Sequence, residues 1–366
     1  MLRVGLIGTS WWAEAMYLPA LADHPDGRIT ALCGRDLDKA RRVADEWDVP
    51  EVYATPEELL DRVDAVIVAS SNASHHPIAR AALDRGLHVL CEKPLGLDSA
   101  QADDLAAAAA RSGAITMTPF TYRFMPMARQ LRRHIEEGYV GTPFHLAARY
   151  YTGFARDGEY SWRFDRGESG SGVLGDIGSH WIDLATYLLG PIVEVGCVTN
   201  TTVGREPRPD GASYGACEDV ALTTVRFSEG AIGHLMVSAV CWEGTPFNQT
   251  HHVEVHGSGG TLYALNDWDT VQEVRGLRAG KTGPAHLLDR PDDIWEGLRT
   301  GTVHDTYRDV FRSTEAMTRG WVSAISRGEA AQPDIPHGAY IQRIVDTALA
   351  SAADGGRMIP VPFPES

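Results

Sequence analysis

The stretch Leu2-Arg3-Val4-Gly5-Leu6-Ile7-Gly8-Thr9-Ser10-Trp11-Trp12-Ala13 decides the fold. An apolar run ends at Ile7, a glycine follows, and a helical pattern begins near Ala13. A glycine between strand and helix lets the backbone turn sharply and presents helix N–H groups to a phosphate. The usual G-x-G-x-x-G becomes Gly8-Thr9-Ser10-Trp11-Trp12-Ala13. Ser10 stands where a second glycine normally allows close phosphate approach, and its hydroxyl is able to donate to that phosphate instead. Trp11 and Trp12 flank the loop, packed over a dinucleotide or under a second domain.

Working outward, short apolar runs at 3–7, 29–33, 65–69, 89–91 and 115–118 alternate with helical patterns at 13–22, 37–47, 56–62, 76–85 and 99–111. Continuous apolar strands separated by helices predict a parallel sheet covered on both faces. The second strand ends in Cys33-Gly34-Arg35-Asp36. Dinucleotide enzymes that use NAD place an acidic residue at this strand end for the ribose 2′-hydroxyl. Gly34 takes that place and Arg35 follows, and a guanidinium suits a 2′-phosphate. NADP is therefore the expected cofactor, with NAD as the alternative.

After about residue 120 the pattern changes. Helices are expected at 126–137, 173–189, 307–327 and 340–352, and antiparallel strands at 220–227, 231–240 and 251–256. Residues 266–305 are polar and mixed and take no clear assignment. The expected architecture is an α/β doubly wound N-terminal domain over residues 1–122 and an α+β domain over 123–366. The second domain carries an open, mostly antiparallel sheet, one face of which needs covering by another copy.

The bulk numbers restrict the partners. A chain of 366 residues with net charge −16 repels phosphate backbones and anionic lipid, so neither nucleic acid nor membrane is an expected partner. Cysteines 33, 91, 197, 217 and 241 show no C-x-x-C pair, which argues against zinc knuckles and disulfide frameworks. Met1 runs directly into a strand, leaving no room for a signal peptide, so a cytoplasmic location is expected.

Two short motifs carry the chemistry. Lys93, in Cys91-Glu92-Lys93-Pro94, follows the fifth strand, and ligands of open α/β sheets bind outside the carboxyl ends of the strands. Pro94 biases Lys93 towards an extended backbone. Asp176 and His180, in Gly172-x-x-x-Asp176-x-Gly178-x-His180-x-x-Asp183, lie four residues apart on an expected helix and share a face. An imidazole with an ordinary pKa near 6.5, oriented by a carboxylate, suits proton transfer at neutral pH. No third metal ligand is evident beside this pair, so no metal is expected.

These motifs occur in one series with Asn72 and His75 after the fourth strand, Tyr122-Arg123-Phe124-Met125-Pro126, and Trp162-Arg163. The series resembles the Gfo/Idh/MocA oxidoreductase family over essentially the whole chain. Departures are Ser10, Gly170-Ser171-Gly172 in place of a triple glycine, and Ser70-Ser71-Asn72 in place of Thr-Pro-Asn. The resemblance implies a Rossmann domain followed by an α+β domain whose sheet makes a homodimer or homotetramer. It implies Lys93, Asp176 and His180 as the catalytic trio. Gly8, Ser10, Trp11, Trp12, Gly34, Arg35, Ser71, Asn72, His75, Glu92 and Lys93 would surround the cofactor. Tyr122, Arg123, Trp162, Arg163, Asp176 and His180 would meet the substrate. The implied reaction moves a hydride between NADP(H) or NAD(H) and a secondary alcohol or ketone of a sugar, cyclitol or related polyol. The alternative is a non-catalytic sensor that binds dinucleotide and sugar on the same fold.

Overall fold

The structure, a computed structural model, describes residues 1–242, 244–245, 249–269 and 272–362. They form two compact units, Met1–Phe120 with Arg308–Gln342, and Thr121–Tyr307 with Arg343–Ser366. The sequence led us to expect an uninterrupted second domain from 123, whereas residues 308–342 group with the first unit. Ile335 and Ala339 are buried in the apolar core of that unit, and the Trp321 indole donates to the Ile115 carbonyl at 3.1 Å. Apolar helix faces are buried wherever a matching surface exists, and sequence order does not reveal where that is.

The first unit holds strands β1 (Leu2–Ile7), β2 (Gly27–Cys33), β3 (Glu51–Tyr53), β4 (Ala65–Val68), β5 (His88–Cys91) and β6 (Thr116–Met117). All pair in parallel, in the order β3-β2-β1-β4-β5-β6. Ala65-Val66-Ile67-Val68 is buried at every position, as a central strand covered on both faces must be. Side-chain caps start the helices: Asp36 accepts from the Lys39 N–H, Thr55 and Glu58 form a reciprocal capping box, and Asp98 accepts from the Gln101 N–H. Strand β3 escaped the sequence reading because three residues, one exposed and two half-buried, carry no periodicity. The helix expected from 76 begins at Asn72, so Asn72 and His75 lie within its first turns.

The second unit holds β7 (Pro143–Tyr151), β8 (Ile192–Asn200), β9 (Val220–Phe227), β10 (Ile232–Ser238), β11 (Thr250–Gly257), β12 (Gly260–Asp267), β13 (Gln272–Arg278), β14 (His286–Leu287) and β15 (Ile359–Pro360). Their order is β14-β13-β12-β11-β7-β10-β9-β8-β15; β7 and β10 run parallel and the other neighbours antiparallel. Alternation sets the faces: Ala221, Thr223, Val225 and Phe227 point inwards while Leu222 and Arg226 point out. The unassigned 266–305 region supplies β13, β14 and the short helix Asp292–Trp295. The helix expected over 307–327 is two, Val303–Ser313 and Thr318–Arg327, separated where Met317 takes a φ of +51°. The helix expected from 340 begins at Ile335. Among the described residues no helix is long and apolar enough to cross a membrane.

Candidate active site

Strand order in the first unit reverses between β1 and β4, the switch point where open α/β sheets hold ligands. Gly8, Gly34, Ser71 and Lys93 all follow carboxyl ends of strands. Gly8 takes a φ of +118°, and a Cβ there would fall 2.3 Å from the Ala69 carbonyl oxygen, so only glycine fits. Its N–H donates to the Cys33 carbonyl at 2.8 Å. The Ser10 hydroxyl oxygen accepts from the Ala13 N–H at 3.3 Å, which leaves its proton to give to a ligand. The next residues form a π-helical turn, Ala13–Tyr17. The turn without a Cβ at Gly8 and the Ser10 hydroxyl at the helix start are what fits a pyrophosphate here.

At the end of β2 the fit is selective. A Cβ on Gly34 would lie 2.9 Å from Thr9 Cγ2 and 3.3 Å from Ala40 Cβ, so a carboxylate side chain has no room without Thr9 moving. Arg35 is exposed, and Asp36 is engaged as a helix cap.

Glu92 is a hub. It accepts from Trp12 Nε1 at 2.7 Å, from the Tyr17 hydroxyl, and from the Lys93 backbone N–H at 3.0 Å. Burial pushes its pKa up, and this outweighs the opposing Lys93 charge and the three donors. Glu92 and Trp12 thus tie the phosphate loop to the base of Lys93, while neighbouring Trp11 stands 74% exposed. His75 is a second brace. It is buried, with Nδ1 2.7 Å from the Pro94 carbonyl oxygen and Nε2 3.1 Å from that of Ser70. Burial lowers its pKa, and a neutral ring has one N–H, so it donates to one of these carbonyls and packs against the other, bracing the segments after β4 and β5. The Ser74 hydroxyl donates to Ser70 Oγ and lies 3.4 Å from Ser71 Oγ, lining the start of the helix at Asn72 with hydroxyls.

In the second unit the segment expected as one helix over 173–189 starts as a π-helical turn, Leu174–Gly178, and continues as an α-helix, Ser179–Leu189. Asp176 sits in the π turn and His180 in the first α turn. Such turns recur at functional sites. Gly175 permits the geometry, since a Cβ there would strike Ser171 Oγ at 1.9 Å. The Arg163 guanidinium approaches Asp176 Oδ2 at 3.5 Å and lies over the Trp162 ring at 4.7 Å, so these three expected residues come together. Tyr122 also arrives, its ring centroid 4.5 Å from that of His180. Arg123 is committed elsewhere: it pairs through two nitrogens with the fully buried carboxylate of Asp183.

Sequence reasoning missed a second imidazole packed on Tyr122. His251 on β11 has its ring centroid 4.4 Å from that of Tyr122, 4.4 Å from Tyr150 and 5.1 Å from Trp181. Burial drives the His251 pKa down to about 3. Register places Asn266 of β12 opposite His251, and Gln272 of β13 opposite Asn266. This polar row ends an otherwise apolar sheet face, and only strand pairing reveals it. Among the described residues no group of three or more His, Cys, Asp or Glu side chains is arranged to hold a metal.

Comparison with known proteins agrees with both halves. Residues 2–120 match the oxidoreductase family with an NAD-binding Rossmann fold, and residues 128–263 match the GFO/IDH/MocA C-terminal domain. Levoglucosan dehydrogenase of Pseudarthrobacter phenanthrenivorans is 28% identical over 393 residues, covering 96% of each chain. D-glucoside 3-dehydrogenase of Escherichia coli is 31% identical over 346 residues, covering 87% of this chain and 97% of its own. A structure of levoglucosan dehydrogenase in complex with NADH and L-sorbose superposes with a TM-score of 0.87 at 25% identity, covering 99% of each chain. A dinucleotide cradle in one unit, an Asp/His junction in the other, and relatives spanning nearly the full length lead to one assignment: the chain is an oxidoreductase belonging to the Gfo/Idh/MocA family.

Proposed function

We propose that this oxidoreductase acts on a secondary alcohol of a sugar, cyclitol or related polyol, or on the matching ketone, with NADP preferred over NAD. The observation that carries the reading is the junction at Gly178, where the π turn holding Asp176 passes into the helix holding His180, with Trp162, Arg163 and Tyr122 gathered around them. The named relatives act on levoglucosan and D-glucosides, which supports the substrate class.

In this reading His180 takes the hydroxyl proton at an imidazole nitrogen during oxidation and returns it during reduction. Asp176 orients His180 and accepts a hydrogen bond from a substrate hydroxyl. Lys93 stabilises the oxygen on which negative charge builds. Trp162 offers a flat face to the sugar ring. Ser10, Ser71, Asn72 and the Gly8 backbone hold the dinucleotide, which when bound supplies the hydride acceptor or donor. Gly34 and Arg35 support the NADP preference, because the site lacks a ribose-binding carboxylate and offers a guanidinium. A second copy of the chain covers the outer sheet face that exposes Val198, Leu222 and Ile232. The free, mostly buried cysteines suit a reducing cytoplasm.

The test is absorbance at the reduced-nicotinamide band with either dinucleotide and a panel of anhydrosugars, glucosides, inositols and their ketones. Turnover of at least one is expected, and His180→Ala should lower kcat by ~10²–10⁴-fold while dinucleotide binding persists. Silence across the panel in both directions would overturn the substrate class, and full turnover by His180→Ala would remove the imidazole from the mechanism.

A further inference from the structure

Two imidazoles pack against the Tyr122 ring. The His180 centroid is 4.5 Å away with the planes tilted by 32°. His251 packs on the same ring at 4.4 Å and is itself enclosed by Tyr150, Trp181 and Trp268. The two imidazoles differ in surroundings. His251 is sealed by aromatic rings and stays uncharged above pH values near 3, the direction set by burial. His180 shares its helical segment with Asp176, and in the proposed reaction it is the ring that gains a proton. An imidazolium over the negative face of a phenol is attracted by the ring quadrupole.

Resting on the reading of His180 as the proton acceptor, we propose that Tyr122 is a positioning residue whose ring face stabilises the protonated form of His180, and that His251, packed on the same ring, helps to fix it in place. Among the described residues, the titratable and charged groups near these rings include Asp176 on the segment of His180, Arg163 paired with that carboxylate, Tyr150 from β7 and Tyr307 from the helix Val303–Ser313. Asp183, on the same helix as His180, is engaged by Arg123. Two like charges against one ring would oppose each other, and the sealed, uncharged His251 avoids that conflict. His251 sits at the end of a polar row: Asn266 stands opposite it across the strands, Gln272 stands opposite Asn266, and the Gln272 amide donates to the Thr306 hydroxyl at 2.8 Å, while aromatic rings pack around His251 itself.

The test separates ring face from hydroxyl and from shape. Position 122 is occupied in turn by Tyr, Phe, a series of increasingly fluorinated phenylalanines, and Leu. His180 is titrated by NMR in histidine-labelled protein, its resonance identified by loss in His180→Asn, and the acid limb of kcat/KM is measured on the best polyol found. Tyr122→Phe should leave the His180 midpoint in place whatever it does to KM. Fluorination should lower the midpoint stepwise, and Tyr122→Leu should lower it by about 0.4–1.5 pH units, with the acid limb moving in step. A midpoint insensitive to fluorination would overturn the inference, as would a shift from Tyr122→Phe as large as that from Tyr122→Leu. Should Tyr122→Leu fold poorly, the fluorinated series keeps the ring shape and decides the matter alone. A midpoint that follows fluorination in a protein without polyol turnover would uphold the ring–imidazole pairing and refute the sugar reading instead.

Discussion

The carboxyl edge of the parallel sheet and the polar end of the mixed sheet assemble their groups in opposite ways. At the parallel sheet the candidate groups stand within three residues of a strand's carboxyl end: Gly8 after β1, Gly34 after β2, Ser71 after β4, Lys93 after β5. Backbone geometry does most of the work there, and hydrogen bonds from Trp12, Tyr17 and the Lys93 N–H to Glu92 hold the loops together. At the mixed sheet the groups arrive from across the unit: Tyr122 from a 3₁₀ turn, His180 from a helix, Tyr150, His251 and Asn266 from three strands. The rings among them meet in tilted and edge-to-face contacts. A dinucleotide has constant features that a local loop can match, whereas substrates vary, and a surface assembled from distant positions can change one residue at a time.

If the comparison holds, substitutions at the two ends should fail differently. The largest expected effect is Lys93→Met, which should cut kcat by ~10²–10⁴-fold, the same range expected for His180→Ala. Dinucleotide titration should tell them apart: Lys93→Met, at the cofactor edge, should also weaken binding, whereas His180→Ala should bind as the parent does; loss of binding in His180→Ala would erase the division.

Next is stability. Arg123→Met leaves the Asp183 carboxylate buried without its guanidinium, and should cost about 3–5 kcal/mol in urea unfolding. The exposed Arg3–Asp64 pair provides the contrast, and Arg3→Met should cost under about 1 kcal/mol. Equal losses would show that burial is not what distinguishes the pairs.

A pH effect follows from His251. Its folded pKa lies below the ordinary value, so the unfolded chain binds the proton first as pH falls. The corresponding stability is fully present above about pH 6.5 and is lost progressively towards pH 3, on the order of a few kcal/mol. His75 contributes with the same sign. His251→Phe should flatten the acid dependence of Tm relative to the parent, and an unaltered dependence would place His251 in a wetter environment than the structure shows.

The smallest expected effect is at the cofactor. Arg35→Ala should weaken NADP binding by about tenfold while changing NAD binding little, because only the 2′-phosphate addresses the guanidinium. Equal weakening of both would assign Arg35 to the adenine instead.

The sequence by itself determined the parallel sheet and the residues at its carboxyl edge, because strand, turn glycine and helix start are contiguous and each leaves a local signature. Asp176 with His180 was legible for the same reason, being four positions apart. What only the tertiary structure decided is non-local: residues 308–342 grouping with the first unit, Arg123 engaged by Asp183 instead of facing open space, Glu92 and His75 acting as braces, and Tyr122 meeting His251. Those contacts follow from strand register and helix packing, and a single slip of one residue would turn His251 to the opposite face of the sheet without altering any motif in the chain.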